Sequence, residues 1–287
     1  MKKWVKHAER CRFENKYFTK LQRSPLQGMA CRSGIAGLPE AAFSNPDKLI
    51  FHPQSRILKD SNTTTSAISE PETHSTGIHI KRYNVKKPWH ALKYLVRKSR
   101  ARRVWHTANS MQARDIPTPA PLFYLEKRTG GLLGPSYIVT EYIRNAVHLE
   151  SFMADTFQSA GRIEKNHTIR LLAAAVQKMH ARGIFHGDLK AKNILIQTPP
   201  DGRLQPCFVD LDAARVSGLL SAQQRCRDLA RLNCSFLDTG QLSTTQRLRF
   251  LKYYLGRATH AELSSAWQLI TSLSRRKLLK SGREFQK

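Results

Sequence analysis

A chain of 287 residues with 40% hydrophobic residues can bury a sizeable core, which excludes wholesale disorder. Its formal net charge of +27 does not specify a fold, but it points to an anionic partner: nucleic acid, an anionic membrane face or a phosphorylated substrate. No apolar run approaches the roughly 20 residues of a membrane span, and the five cysteines show no C-x-x-C or metal spacing, which fits reduced thiols in a cytoplasmic protein.

The N-terminus stays charged, without the apolar centre of a signal peptide. Residues 1–45 read as a basic, irregular extension with scattered aromatics. Leu49 to Leu58 reads as a strand, and Lys59 to Gly77 as a polar loop around Thr63, Thr64, Thr65 and Ser66. Ile78-His79-Ile80-Lys81 alternates like a strand. A helix is expected from Trp89 to about Ala113, with Ala91, Leu92, Leu95 and Val96 on one apolar face, stopped by Pro117-x-Pro119-x-Pro121. Leu122 to Leu125 and Tyr137 to Glu141 read as strands, with Gly130, Gly131 and Gly134 turning between them.

From about residue 142 the pattern is mainly helical. Ile169, Leu172, Val176 and Met179 form a buried helical stripe, and Gly183 suits its C-cap. Ile194 to Ile196 and Phe208-Val209 read as a small hairpin, and further helices include Arg225 to Leu232 and Arg247 to Tyr254. A strand-rich first half and a helix-rich second half predict an α+β protein of two lobes: 46–141, and 142–287 ending in a basic tail.

The stretch that carries chemistry is His186-Gly187-Asp188-Leu189-Lys190-Ala191-Lys192-Asn193, followed 17 residues later by Asp210 in Phe208-Val209-Asp210-Leu211-Asp212. An Asp, an Asn five residues on, and an Asp after the next strand suit phosphoryl transfer from a nucleotide. One carboxylate orients the attacking hydroxyl and accepts its proton. An amide oxygen and a second carboxylate are hard ligands for magnesium.

This pattern resembles the catalytic and metal-binding loops of the protein-kinase-like superfamily. On that resemblance Asp188 is the catalytic base, Lys190 steadies the transferred phosphate, and Asn193 and Asp210 hold Mg2+ with ATP. His186 is expected to be a structural hydrogen-bonder. Gly187, where eukaryotic protein kinases have Arg, resembles the small-molecule and atypical branches. Ile80-Lys81-Arg82-Tyr83, Ile116-Pro117-Thr118-Pro119, Ile138-Val139-Thr140-Glu141, Gly183 to Leu189, Val209 to Arg215 and Arg227-Asp228-Leu229-Ala230-Arg231-Leu232 together resemble the bacterial lipopolysaccharide core kinases. The resemblance spans roughly residues 78 to 235. It implies a two-lobed protein-kinase-like fold and ATP- and Mg2+-dependent phosphorylation of a Kdo or heptose of a lipid-linked inner-core saccharide. The place would be the cytoplasmic face of the inner membrane.

Lys81 matches the strand lysine that meets nucleotide phosphates in kinases. Two departures stand beside it. No Gly-rich loop precedes Lys81, and the Ser61 to Ser66 cluster occupies that place, as phosphate donors or as a linker. No Asp or Glu occurs from Arg82 to Arg114, and Val104 or a neighbour falls where kinases carry a helix glutamate. That absence argues for a pseudokinase, and the intact Asp188, Asn193 and Asp210 argue against one. A protein acceptor is the alternative to the sugar. Lys86, Lys87, Lys93, Arg97, Lys98, Arg100, Arg102 and Arg103 point to an anionic membrane surface or saccharide. Arg275 to Lys280 reads as a surface-seeking helix or a basic tail. Nucleic acid is not expected, because no zinc-finger, aromatic RNA-binding or helix-turn-helix signature is present.

Overall fold

The computed structural model describes residues 10–71, 76–85, 98–130, 132–199, 202–237 and 239–280. The chain divides into two compact units, 1–144 and 145–287.

The first unit is built on a seven-stranded antiparallel sheet. Its strands are β1 (Phe18–Arg23), β2 (Leu26–Cys31), β3 (Arg56–Asp60), β4 (Thr64–Ser69), β5 (Ile78–Tyr83), β6 (Pro121–Thr129) and β7 (Leu132–Glu141), in the order β1-β2-β6-β7-β5-β4-β3. Two helical turns, α1 (Ala41–Ser44) and α2 (Asp47–Ile50), place Ala42, Leu49 and Ile50 in a core with Ile78, Ile80, Phe123, Leu125 and Val139. Helix α3 (Arg100–Gln112) packs Trp105 against Phe18 and Tyr124, with ring centroids 5.9 and 5.7 Å apart. The indole N–H of Trp105 is satisfied by the Cys11 carbonyl at 3.2 Å. Phe123 and Tyr124 thus serve two different layers, as the strand period of two requires.

Several expectations are corrected here. The segment read as an irregular extension supplies the β1–β2 hairpin, whose second strand pairs with β6 from Leu26↔Lys127 to Ala30↔Phe123. Gly28 permits that pairing, since a Cβ there would collide with the Tyr124 carbonyl oxygen. Leu49 and Ile50 are helical, because Pro46 presets a helix start and Asp47 opens its first turn; the strand begins only at Arg56. Thr64 to Ser69, read as loop, is the fully buried strand β4, central between β3 and β5. Gly130, at φ +56, lies in the β6–β7 turn, whereas Gly134 lies inside β7. The helix expected from Trp89 is seen over Arg100–Gln112, capped by the Ser99 hydroxyl accepting from Arg102 N. Its proposed start, with Ala91, Leu92, Leu95, Val96 and Lys86, Lys87, Lys93 and Arg97, lies outside the described residues.

The second unit opens with β8 (Ala146–His148), α4 (Leu149–Ala154) and α5 (Thr156–Ser159), then the long α6 (Arg162–Ala181). Ile169, Leu172, Val176 and Met179 of α6 are buried, and Gly183 follows at φ +75 with its N–H bonded to the His180 carbonyl. Strands β9 (Ile184–Phe185), β10 (Ile194–Gln197), β11 (Gln205–Phe208) and β12 (Arg215–Val216) form two small sheets, β11-β10-β8 and β12-β9. Helices α7 (Ala222–Leu237), α8 (Thr244–Leu255) and α9 (His260–Lys280) complete the unit. The basic stretch Arg275 to Lys280 is therefore the end of a packed helix rather than a free tail, with Ser274 and Leu278 buried on its inner face. Among the described residues no helix is long and apolar enough to cross a membrane.

Candidate active site

The loop from His186 to Asn193 joins β9 to β10, and its shape is set largely by one face of α7. Gly187 adopts φ +77, and a Cβ there would lie 2.5 Å from the Ala213 carbonyl oxygen. Asp228, fully buried on α7, accepts the His186 N–H at 2.7 Å on Oδ2 and the Gly187 N–H at 2.9 Å on Oδ1. The same carboxylate lies 3.3 Å from Nε2 of buried His180, whose Nδ1 is 2.7 Å from the Tyr254 hydroxyl. One turn along α7, Arg231 Nη1 donates to Asp188 Oδ1 at 3.0 Å, and one turn further the Ser235 hydroxyl accepts the Ala191 N–H at 3.0 Å. Residues 228, 231 and 235 share one helical face, so a single rigid element holds the loop along its length.

Asp188 is half-buried. Its Oδ2 lies 3.0 Å from Lys190 Nζ and accepts from Asn193 Nδ2 at 3.2 Å. Burial alone would raise the Asp188 carboxyl, but the hydrogen bond and charge of Lys190, then the charges of Arg231 and Lys277, outweigh it and hold the group below its ordinary value. Asp188 is thus an ionised acceptor at neutral pH. Asn193 is buried, and its Nδ2 also donates to the Asp188 carbonyl at 2.8 Å. With the amide nitrogen committed to Asp188, Oδ1 is the amide atom left to meet a cation.

Asp210 is brought beside this loop by the β10–β11 ladder. Ile194 pairs with Phe208, and the Val209 N–H extends the ladder onto the Asn193 carbonyl at 3.0 Å. His186, fully buried, closes the arrangement from the other side. Its Nε2 lies 3.1 Å from the Val209 carbonyl, a bond that a neutral ring protonated at Nε2 makes as donor. Burial dominates in lowering the His186 pKa, which keeps the ring neutral. The next residue, Asp210, sits in left-handed backbone at φ +60 and ψ 59 and turns the chain into Leu211–Ala213 with its carboxylate exposed. Aspartate tolerates this conformation better than most residues, and such backbone clusters at functional sites.

The structure brings together Asp188, Lys190, Asn193 and the Val209–Asp210 corner. Lys81 lies in the first unit, on β5, paired in register with Ser66 and Ile138 and 5.5 Å from the Tyr83 ring. Within the Ser61 to Ser66 cluster, Ser61 Oγ donates to the Thr64 carbonyl at 2.9 Å, and Thr65 Oγ1 to Asp60 at 2.8 Å. These two bonds tie the β3–β4 turn. Val104, where a helix acid was looked for, is buried and apolar. Sequence reasoning gave no role to Asp228, Arg231 or Ser235. The available signal was an acid set among Leu229, Ala230 and Leu232 on an apolar helix face, with a base three residues on.

Residues 50–254 match the lipopolysaccharide kinase (Kdo/WaaP) family. The chain belongs to this family. Its relatives include the lipopolysaccharide core heptose(I) kinase WaaP of Escherichia coli strain K12, 29% identical over 178 residues, covering 61% of this chain and 67% of the relative. The WaaP of Pseudomonas aeruginosa is 28% identical over 182 residues, with the same coverage of each chain. A solved structure of WaaP in complex with acyl carrier protein superposes with a TM-score of 0.63 at 22% identity, covering 83% of this chain and 95% of that one, which shows a shared fold. Family and fold make the chain a phosphotransferase of kinase-like architecture, with a strand-rich first unit and a helical second one.

The donor set can be tested against magnesium. Among the described residues no group of three or more His, Cys, Asp or Glu side chains gathers as a metal cage. An exposed carboxylate at Asp210 and an amide oxygen at Asn193 instead fit a cation that takes few protein ligands and completes its shell with phosphate and water, as magnesium does.

Proposed function

We propose that this chain transfers the γ-phosphate of ATP to a sugar hydroxyl of the lipopolysaccharide inner core, on a Kdo or a heptose, at the cytoplasmic face of the bacterial inner membrane. The observation that carries this reading is the Asp188–Asn193–Val209 connection, which ties an ionised carboxylate to a buried amide and to the strand end that leads into Asp210. Asp188 receives the acceptor hydroxyl and takes its proton as the new bond forms. Lys190, 3.0 Å from Asp188, is assigned to steady the transferred phosphoryl group. Asn193 Oδ1 and Asp210 would hold Mg2+, which neutralises phosphate oxygens when bound. Lys81 is assigned to the nucleotide phosphates, so that residues 46–141 hold the nucleotide and 142–287 the catalytic and metal loops.

A dissociative phosphoryl transfer asks its base for orientation more than for basicity, so a carboxylate with a lowered pKa suits the task. The family match and the WaaP relatives support the core saccharide as acceptor, and the net charge of +27 supports a lipid-linked substrate on an anionic surface. The test is transfer of radiolabelled γ-phosphate from ATP to purified core oligosaccharide, with the product located by mass spectrometry. A labelled sugar with wild-type protein and none with Asp188→Ala is expected. Wild-type protein that binds ATP and magnesium yet labels only protein would overturn the reading.

A further inference from the structure

The Asp188 carboxylate is outnumbered. Arg231 and Lys190 both reach it at 3.0 Å, one on each oxygen, and the charge of a third cation, on α9, also lowers its pKa. That third group is Lys277, and its placement follows from how α9 is locked to α7. Ser274, fully buried, accepts a hydrogen bond from Asn233 Nδ2 at 3.0 Å, and its carbonyl receives the Cys234 thiol at 3.6 Å. These contacts fix the rotation of α9. Lys277, three residues beyond Ser274, lies on the same face one turn on, beside buried Leu278. It is half-buried, feels the charges of Arg231, Asp188 and Lys190, and has no ion pair among the described residues.

The geometry points to an anion subsite, formed by Arg231 and Lys277 with Lys190, that takes a carboxylate or phosphate group carried by the acceptor next to the hydroxyl it presents to Asp188. The inference rests on the reading that Asp188 receives that hydroxyl, and deepens it by naming the chemistry of the acceptor. Three cations around one carboxylate leave an excess of two positive charges on a partly desolvated patch. Burial, then the neighbouring Arg231, lowers the pKa of Lys277, and a bound anion would favour an ammonium that has no ion pair among the described residues. Arg231 is suited to the role because its planar fork has donors beyond the Nη1 that holds Asp188. A solvated charge run would not be built this way: the helix that carries Lys277 is locked to α7 through Ser274, and Lys277 itself is half-buried.

The test uses the full chain without nucleotide. Acetylation of Lys190 and Lys277 is followed by quantitative mass spectrometry at constant ionic strength, against exposed Lys59 in the same molecule, with gluconate, glucose 6-phosphate or glucose added. An anionic probe at ten times its Kd should slow both reactions about tenfold, while glucose leaves them unchanged. Protection by gluconate alone assigns the subsite to a carboxylate, and by glucose 6-phosphate alone to a phosphate. In Lys277→Gln the probe concentration that protects Lys190 should rise on the order of tenfold, and Lys277→Arg should keep it near wild type. No protection by either anion, equal protection by glucose, or an unshifted midpoint in Lys277→Gln would overturn the subsite. Because the readout needs no turnover, its failure leaves the kinase reading standing; protection without phosphorylation of a core saccharide does the reverse.

Discussion

Replacing Asp228 by Asn keeps the shape of a fully buried side chain and removes one acceptor oxygen. In the native protein each carboxylate oxygen takes a main-chain N–H of the catalytic loop, from His186 at 2.7 Å and from Gly187 at 2.9 Å. An amide can accept only one of them and must aim its own N–H groups at the other. One buried donor is then orphaned, at roughly 1–3 kcal/mol, and a charge-assisted bond becomes a neutral one, so a loss of about 2–4 kcal/mol is expected. Hydrogen exchange reads this at the atoms concerned. Protection of the His186 and Gly187 amides should fall roughly 30- to 1000-fold, by the same energy, with less change at α6 amides such as Val176. Turnover should fall about 100-fold if the loop shifts by an ångström at Asp188. An Asp228→Asn protein with unaltered exchange at both amides and near-normal turnover would refute the claim that α7 holds the loop.

Asp210→Asn should fold normally and lose phosphotransfer by at least ~100-fold, checked by steady-state kinetics over a magnesium titration. Gly187→Ala places a Cβ 2.5 Å from the Ala213 oxygen at φ +77, whereas Gly202→Ala meets nothing within 4 Å at φ +73; urea unfolding should separate the two by more than about 1 kcal/mol. His106, shifted by burial and by the charges of Arg12, Lys98 and Arg102 from 6.5 to about 4, is neutral in the folded protein and protonates more readily when unfolded. Stability should therefore fall as pH drops from 6.5 through 4, by about 3 kcal/mol in all, and His106→Gln should flatten that part of the melting-temperature profile.

Periodicity made some elements readable and tertiary context made others. The α6 stripe of Ile169, Leu172, Val176 and Met179 and the alternation at Ile78 to Lys81 announce a helix and a strand because burial follows their period. Strand β4 does not announce itself: Thr64, Thr65 and Ser66 read as loop, yet pairing on both sides satisfies their backbone and Thr65 bonds to Asp60. The β1–β2 hairpin carries few branched residues and is specified by the open edge of β6, a partner far along the chain. At the candidate site, the spacing of Asp188, Asn193 and Asp210 marks a loop and a strand end within one stretch of sequence. The approach of Arg231 and Lys277 to that loop depends on how two later helices lie against each other, which no local pattern encodes.

The order in which the sheet's strands are made has a consequence for folding. Strands β1 and β2 come early in the chain, yet Leu26 to Ala30 find their partners only in Phe123 to Lys127. A lone two-stranded hairpin is marginal in water, and closing so long a loop is entropically slow, so this edge assembles late. Until it does, β6 offers an unpaired row of N–H and C=O groups, and Phe18 and Met29 lack the surfaces that bury them. A nascent or heat-stressed molecule is therefore open to strand-mediated aggregation along β6, where hairpin docking competes with pairing to another chain.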